Sequence, residues 1–216
     1  MDPQVEGWYA RIDESPDAEF YRESRMVQHI DDGAIAQVTE FIADYVASGS
    51  VVLDLMSSWV SHLPEAANLP LARVAGLGMN AAELEANPRL DDWVVVDLNG
   101  TAAAGIPLPY PDQTFDAVLN TVSFQYLTDP VATLREVARV MKPGGVLIIT
   151  FSDRMFPTKA TRIWQETAPE MRSGLIAHLL SNTGAFRPAR FVDARQGPRG
   201  MFGGPDPLWG VIARRR

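Results

Sequence analysis

Short apolar runs alternate with helical patterns along the chain, and this alternation predicts the fold. Five apolar runs of strand length lie at 50–55, 73–77, 93–98, 115–122 and 146–151, and two more lie at 190–194 and 208–213. Runs of this length and composition are typical of buried strands. Strands that alternate with helices predict an α/β fold, a single doubly wound, mostly parallel seven-stranded sheet with helices on both faces and an antiparallel C-terminal edge strand.

The clearest helical pattern lies between the fourth and fifth apolar runs. Asp129 is a suitable N-cap, and Pro130 fits the first helical position because no amide hydrogen is needed there. One apolar face is formed at helical spacing by Val131, Leu134, Val137, Ala138 and Met141. Pro143 is expected to stop this helix before Gly144 turns the chain into the next strand. The pattern predicts a helical crossover between two parallel strands.

Polar residues mark the ends of the other predicted helices. Asp31 or Asp32 can begin one helix as its N-cap. Asn80 can begin a shorter one, and Glu83 is placed to reach back to the Asn80 amide as in a capping box. Two more helical stretches are expected at 158–166 and 169–180. Gly184 is placed to end the second of these.

Composition narrows the class of protein and of partner. The chain has 216 residues, of which 46% are hydrophobic, which is enough for one domain with a full core. A net charge of −8 argues against nucleic acid and favours a small-molecule partner. We expect no membrane span, because no apolar run approaches the ~20 residues that a span needs. The absence of cysteine excludes disulfides and fits a cytoplasmic location.

The sequence predicts two parts, an N-terminal segment at 1–31 and a domain at 32–216. The N-terminal segment is rich in aromatic residues and also carries arginine and histidine, a composition unlike that of a disordered leader. We expect it to pack on or over the site, either as a lid or as an arm of a dimer, and the oligomeric state stays open. A second irregular segment, 197–207, is dense in Gly and Pro and is expected to be mobile.

Two motifs in the fourth and fifth apolar runs carry a family resemblance. LPYPDQTFDAV at 108–118 and MKPGGVLII at 141–149 resemble the patterns LP(F/Y)PDxSFDxV and L(K/R)PGGxLxI of the class I S-adenosylmethionine-dependent methyltransferases. The resemblance covers 50–151, about half of the chain. It implies a Rossmann-like fold, S-adenosylmethionine as cofactor, and in-line transfer of a methyl group to a small-molecule acceptor.

The resemblance also implies where the cofactor would bind. Ligands of open α/β sheets bind at the carboxyl ends of the strands. The family carries an acid after the first strand and another after the third, and Asp54 and Asp97 match these positions. The full set of implied cofactor residues is Asp54, Met56, Ser57, Ser58, Gly76, Gly78, Met79, Asn80, Asp97, Leu98, Asn120 and Val122.

The chain departs from the family at two cofactor positions. The three glycines that follow Asp54 in relatives are replaced by Met56, Ser58 and Val60. Without glycine, positive φ angles cost energy, and the β-carbons occupy space next to the cofactor. Gly78 stands where the family has the acid that binds the ribose hydroxyls. Asn80 can bind a ribose hydroxyl in its place or serve only as a helix cap.

Methyl transfer from a sulfonium needs positioning, a dry pocket and sometimes a base. The residues expected to face the acceptor are His62, Trp59, Tyr126, Arg154, His29, Tyr21 and Arg25. His29 and His62 titrate near neutral pH and can take a proton if they are positioned for it. Each of these residues also has an ordinary structural role as an alternative. No spacing indicates a metal site or a nucleophile triad.

Two alternative functions follow from the departures. The missing glycines and Gly78 also fit a catalytically inactive methyltransferase-like domain that serves as a binding or scaffold module. A doubly wound enzyme that binds a dinucleotide is a weaker alternative, because no G-x-G-x-x-G follows any predicted strand.

Overall fold

The computed structural model describes residues 7–100, 105–194 and 205–216. Its strands are β1 (Val51–Ser57), β2 (Arg73–Gly78), β3 (Asp92–Val95), β4 (Phe115–Thr121), β5 (Met141–Phe151), β6 (Arg190–Asp193) and β7 (Trp209–Arg214). Its helices are α1 (Asp17–Phe20), α2 (Asp32–Tyr45), α3 (Ala81–Ala86), α4 (Pro130–Val140), α5 (Arg162–Glu166) and α6 (Arg172–Thr183), with 3-10 turns at Phe124–Tyr126 and Pro169–Met171. Most of the Gly- and Pro-rich segment, 197–204, lies outside the described residues.

The seven strands form one sheet in the order β3-β2-β1-β4-β5-β7-β6. The first five strands are parallel to one another, and β7 pairs antiparallel with both β5 and β6. The predicted doubly wound, mostly parallel sheet is confirmed, and the C-terminal strand is antiparallel as expected. It lies one place in from the edge, because β6 pairs with its outer side. The strand order reverses between β1 and β4, so their carboxyl ends flank the crevice where such sheets bind ligands.

Helices cover both faces of the sheet, and each face has its own apolar core. Leu53 and Leu147 point to the face that packs against α4 and α6, whereas Val52 and Ile148 point to the face covered by α2. Because successive strand residues alternate between faces, a parallel strand covered on both sides must be apolar throughout. This explains the continuous apolar runs in the sequence.

Several predicted helix ends are confirmed. The carboxylates of Asp31 and Asp129 accept hydrogen bonds from the Ala34 and Ala132 amides, and so cap α2 and α4. Pro130 occupies the first turn of α4 as predicted. The helix ends at Val140, so Pro143 lies within β5 rather than at the helix end. Met141 likewise belongs to that strand.

Three other predicted boundaries differ from the structure. The third strand ends at Val95 instead of residue 98, because the following residues leave the sheet and line the crevice. The helix predicted at 158–166 begins only at Arg162, and the one predicted at 169–180 begins at Arg172 after a 3-10 turn. The capping box is wrong, since the Glu83 carboxylate accepts hydrogen bonds from Arg25 N and Ser58 Oγ.

No helix among the described residues is long and apolar enough to cross a membrane.

Two glycines of α6 allow a matched test of its C-terminal end. Gly184 is the C-cap residue and has a φ of 68°, where a β-carbon is strained. Gly184→Ala should therefore lower the free energy of unfolding by about 1 kcal/mol. Gly174 lies inside the same helix with open space around its Cα. Gly174→Ala should raise the free energy of unfolding by roughly 0.5–1 kcal/mol, because alanine is the better helix former. Urea denaturation measures both, and effects of the same sign would contradict this account.

Candidate functional site

A cavity lies at the carboxyl ends of β1, β2 and β4. Its volume of about 260 Å³ is close to the smallest volume, roughly 300 Å³, that is typical of small-molecule pockets. The loops after these strands form its floor. The loop after β3 and the residues after β5 form two of its walls. A segment from the N-terminal region, 17–30, crosses above it and is called the strap below; Asp17, Tyr21, Arg25 and 27–29 of this strap line the cavity.

The turn after β1 takes a glycine-like conformation without glycine. Met56 has a φ of 60°, in the left-handed region that side chains other than glycine rarely adopt. The register between β1 and β2 shifts between Leu55 and Ser57, so the strand bends away at this point. The chain therefore turns here in a glycine-like conformation and places the Met56 side chain in the cavity wall.

Asp54 is a buried carboxylate at the end of β1. Only 4% of its surface is exposed, and its Oδ2 accepts a hydrogen bond of 2.6 Å from Ser57 Oγ. Burial raises the pKa of Asp54 to about 6, although the hydroxyls of Ser57 and Ser61 act in the opposite direction. The group therefore titrates near physiological pH and gains from any further hydrogen-bond donor that favours its ionised form.

Backbone strain is concentrated around this cavity. Met56, His62 and Val122 line it, and they are three of the four described residues other than glycine with positive φ. Val122 is β-branched and has a φ of 46°, which makes it a marked outlier. Its amide donates to the Thr150 carbonyl oxygen at 2.8 Å, and its carbonyl oxygen accepts from Gln125 Nε2 at 2.7 Å. Strain that the surroundings hold in place in this way is a feature of binding and catalytic sites.

The end of β2 has no room for an acidic side chain. A β-carbon on Gly78 would lie 2.2 Å from the Ser57 carbonyl oxygen. Asn80 caps α3 through its Oδ1, and its Nδ2 donates to the carbonyl oxygens of Tyr21 and Arg22 in the strap. Both polar atoms of the Asn80 side chain are thus occupied, one by the helix and the other by the strap. Glu83 is the carboxylate that α3 presents to the cavity.

Glu83 joins three separate parts of the chain. It is buried on the first turn of α3, where its Oε2 accepts from Ser58 Oγ at 2.6 Å and its Oε1 accepts from Arg25 N at 2.7 Å. Hydrogen bonds to an ionised group contribute roughly 1.5–3 kcal/mol each. One carboxylate therefore holds the β1 loop and the strap together.

The loop after β3 brings Asp97 to the cavity. Its Oδ1 accepts from the Asn99 amide at 2.9 Å, and Leu98 is buried beside it. The side chain of Asn99 donates to Asp17 Oδ2 and to the Tyr126 carbonyl oxygen, both at 2.8 Å. These bonds fix the loop against the strap and against the turn after β4.

Buried charges hold the start of the strap. Lys159 is fully buried, and its Nζ donates to the Ser15 carbonyl oxygen at 2.6 Å and lies 3.2 Å from Asp17 Oδ1. The Asp17 carboxylate also receives Arg11 Nη1 at 2.7 Å. Breaking one partner of a buried pair leaves an uncompensated charge, which makes this anchor hard to release. Further along the strap, Trp59 Nε1 donates to the Val27 carbonyl oxygen at 3.0 Å.

Aromatic and cationic residues form the side of the cavity next to β4 and β5. The Tyr126 hydroxyl accepts from Phe156 N at 2.8 Å, and the two rings stack at 6.0 Å between centroids. Burial raises the pKa of Tyr126 and also that of Tyr21, so both phenols stay protonated at neutral pH. Arg154 forms an ion pair with Asp206, with 2.8 Å between Nε and Oδ1.

The two histidines of the strap and the β1 loop face this side as neutral rings. His29 lies at the exposed rim, with its ring 5.3 Å from that of Phe156. Burial is the main cause that lowers the pKa of both His29 and His62; for His29, Glu83 acts in the opposite direction and Arg25 lowers the pKa further. A neutral imidazole keeps a nitrogen lone pair, so either ring can accept a proton from a bound molecule.

The structure brings most of the residues predicted for the site to one cavity. Its lining includes His62, Trp59, Tyr126, Arg154, His29, Tyr21, Arg25, Asp54, Met56, Ser57, Ser58, Gly78, Met79, Asn80, Asp97, Leu98 and Val122. Gly76 and Asn120 are not among them. Gly76 faces Leu90, whose Cδ1 would lie 2.4 Å from an added β-carbon. The amide of Asn120 donates to the Leu55 carbonyl oxygen between the strands.

The polar lining residues that were missed in the sequence include Asp17, Gln28, Ser61, Glu83, Asn99 and Ser123. The signal for Ser123 was its place two residues after β4, next to residues that were predicted. Its hydroxyl is buried and has no hydrogen-bond partner among the described residues, so a ligand can use it. Nothing local marks Asp17 or Asn99, whose roles depend on contacts across the fold.

Comparisons with known proteins agree with this geometry. The family described as methyltransferase domain matches residues 53–149. A demethylmenaquinone methyltransferase of Corynebacterium urealyticum is 38% identical over 120 residues, 54% of this chain and 48% of the relative. Cycloartenol-C-24-methyltransferase 1 of Oryza sativa subsp. japonica is 31% identical over 137 residues, 60% of this chain and 39% of the relative. The chain thus spans less than half the length of these two curated relatives.

Solved structures share the fold. The crystal structure of a SAM-dependent methyltransferase from Aquifex aeolicus superposes with a TM-score of 0.57 at 17% identity, over 91% of this chain and 96% of that one. S-adenosylmethionine is the cofactor of these proteins as a family. The matched domain, the strand order and the motifs at 108–118 and 141–149 lead to one assignment. Residues 53–149 match the methyltransferase domain family, and the sheet has the fold of solved S-adenosylmethionine-dependent methyltransferases.

Proposed function

We propose that this protein transfers a methyl group from S-adenosylmethionine to a small-molecule acceptor. The observation that carries the proposal is the cavity at the carboxyl ends of β1, β2 and β4, where Asp54 and Asp97 lie in the family's positions. The net charge of −8 supports a small acceptor over a nucleic acid. The relatives' names place a quinone and a sterol among the acceptors of the family, and both are small molecules.

The residues present fit a nucleoside with an amino-acid tail. Carboxylates at Asp54, Glu83 and Asp97 are acceptors for amino and hydroxyl donors. The Ser123 hydroxyl is buried without a partner among the described residues. The left-handed turn at Met56 is a conformation that glycine adopts most readily. The loop therefore combines a glycine-like backbone with a side chain in the cavity wall.

When bound, the cofactor supplies an electrophilic methyl group. The chain's own residues supply position and surroundings: the strap covers the cavity, and Tyr126, Phe156 and Trp59 exclude water from its acceptor side. His62 or His29 would take the proton that an acceptor hydroxyl or amine loses. The strap would act as a lid, since it must move for a ligand to enter from above.

The first test is isothermal titration of the purified protein with S-adenosylhomocysteine, the product of the cofactor. We expect micromolar binding, because most of the predicted cofactor residues converge on one cavity. Adenosine should bind more weakly, because it lacks the amino-acid tail. Absence of heat at millimolar ligand would reject the proposal and favour the inactive, module-like alternative.

A pair of substitutions at Met56 tests the left-handed turn. Both Met56→Gly and Met56→Ala remove the side chain, but only glycine adopts a φ of 60° without strain. Met56→Gly should therefore be more stable to urea than Met56→Ala by about 1 kcal/mol. Both variants lack the methionine side chain. They should therefore bind S-adenosylhomocysteine with equal affinity if that side chain is the only feature of the turn that affects binding.

Met155 gives the matched control, because it lines the same cavity and is not among the residues with positive φ. There the glycine variant should be the less stable of the pair by roughly 0.5–1 kcal/mol. An equal preference for alanine at both positions would show that the turn after β1 relaxes in solution.

Asp54 predicts a dependence of stability on pH. Its pKa is raised to about 6 in the folded protein from 3.8 in the unfolded chain, so the folded state holds the proton longer. The stability contributed by the protonated form is fully present below pH 3.8 and is lost as the pH rises through 6. The stability of the wild type relative to Asp54→Asn should fall by about 3 kcal/mol between pH 4 and 7.

Binding should depend on pH in the opposite direction. Donors on a bound nucleoside favour the ionised carboxylate, so the affinity for S-adenosylhomocysteine should rise from pH 5 to 7 in the wild type. Titration of Asp54→Asn over the same range is the control, and its affinity should stay level. A parallel rise in both proteins would assign the dependence to another group.

A further inference from the structure

Arg25 lines the cavity and holds its guanidinium among aromatic rings. Its Cζ lies 4.6 Å from the centre of the Phe20 ring and 5.5 Å from that of the Phe156 ring. Nη2 donates to the Phe20 carbonyl oxygen at 2.9 Å. Nη1 is buried and has no hydrogen-bond partner among the described residues. The ion pairs formed within this part of the chain do not include Arg25.

A positive charge in this position is costly without a ligand. Guanidinium stays protonated at all physiological pH values, so burial cannot neutralise it. Stacking on rings fixes its plane but supplies no acceptor for Nη1. The free-energy cost of removing a charged nitrogen from water is offset when an anion accepts hydrogen bonds from it. The arrangement therefore favours a bound state in which an anionic oxygen lies against this guanidinium.

The other charges of the cavity favour an anion with a single negative charge, because the lining already holds the carboxylates of Asp17, Asp54, Glu83 and Asp97. Arg154, the second arginine of the lining, is engaged by the buried carboxylate of Asp206. The lowered pKa values of His29 and His62 leave both rings neutral at pH 7. Glu83 already accepts from Ser58 and from the Arg25 amide, and it adds negative charge nearby. A carboxylate suits this balance, whereas a phosphate carries roughly −1.5 to −2.

We propose that Arg25 binds a carboxylate of the methyl acceptor, which makes the acceptor a small apolar or aromatic acid. The inference rests on the proposed function, because it assigns the anion to the acceptor. Phe156, which follows β5, and Phe20 flank the guanidinium, and His29 contacts the same Phe156 ring. This places Arg25 on the acceptor side of the cavity. Nη1 is covered by neighbouring atoms, so the guanidinium must turn toward the cavity when the acid binds.

The test compares benzoate with benzamide, which has nearly the same shape without the charge. Each is titrated into the full chain saturated with S-adenosylhomocysteine. Wild type should bind benzoate at least ten times more tightly than benzamide. Arg25→Gln should remove that preference, and Arg25→Lys, which keeps the charge, should retain part of it. Arg22→Gln is the matched control, because Arg22 is an exposed strap residue outside the cavity, and it should keep the full preference.

Three outcomes would overturn the inference. Equal binding of benzoate and benzamide, or binding of neither, would show that Arg25 does not select an acid. A loss of S-adenosylhomocysteine affinity in Arg25→Gln, with 5′-methylthioadenosine unaffected, would assign Arg25 to the amino-acid carboxylate of the cofactor. Failure of the wild type to bind S-adenosylhomocysteine at all is a separate result, since it rejects the proposed function itself.

Discussion

The Glu83 carboxylate is the interaction on which the cavity depends. It accepts one hydrogen bond from the β1 loop and one from the strap, and it is buried where a loss of either donor would leave a charge without support. The floor and the roof of the cavity thus both donate hydrogen bonds to one residue on the first turn of α3. Asn80 on the same turn binds the strap as well. A helix of only six residues therefore organises the site.

The loop after β1 contains no glycine, and its side chains take part in this arrangement. Ser58 and Trp59 both use their side chains to hold other parts of the site. A glycine at 58 would have no hydroxyl for Glu83. The loop therefore makes tertiary contacts through its side chains, while Met56 holds a strained positive φ at its start.

The order of strands and helices could be predicted from the sequence because it depends on local signals. Apolar runs, the Asp129 cap and Gly184 each act within a few residues of their position, and the structure confirms them. Glu83 shows where such reasoning ends. Its spacing from Asn80 satisfies the capping-box pattern, but donors 25 and 58 residues away compete for the carboxylate and win. Gly76 likewise lies outside the cavity lining, next to Leu90, and its contact with the cofactor stays a prediction.

Beyond its buried anchor at Asp17, the strap is held over the cavity mainly through its main chain. Asn80 binds the carbonyl oxygens of Tyr21 and Arg22, Glu83 binds the amide of Arg25, and Trp59 binds the carbonyl oxygen of Val27. Every amino acid offers the same carbonyl group, and every one except proline offers the amide. Substitutions along 21–29 can therefore change what the roof presents to a bound molecule while the roof itself stays in place. The position of the roof and the side chains that it presents to the cavity are therefore set by different groups of atoms.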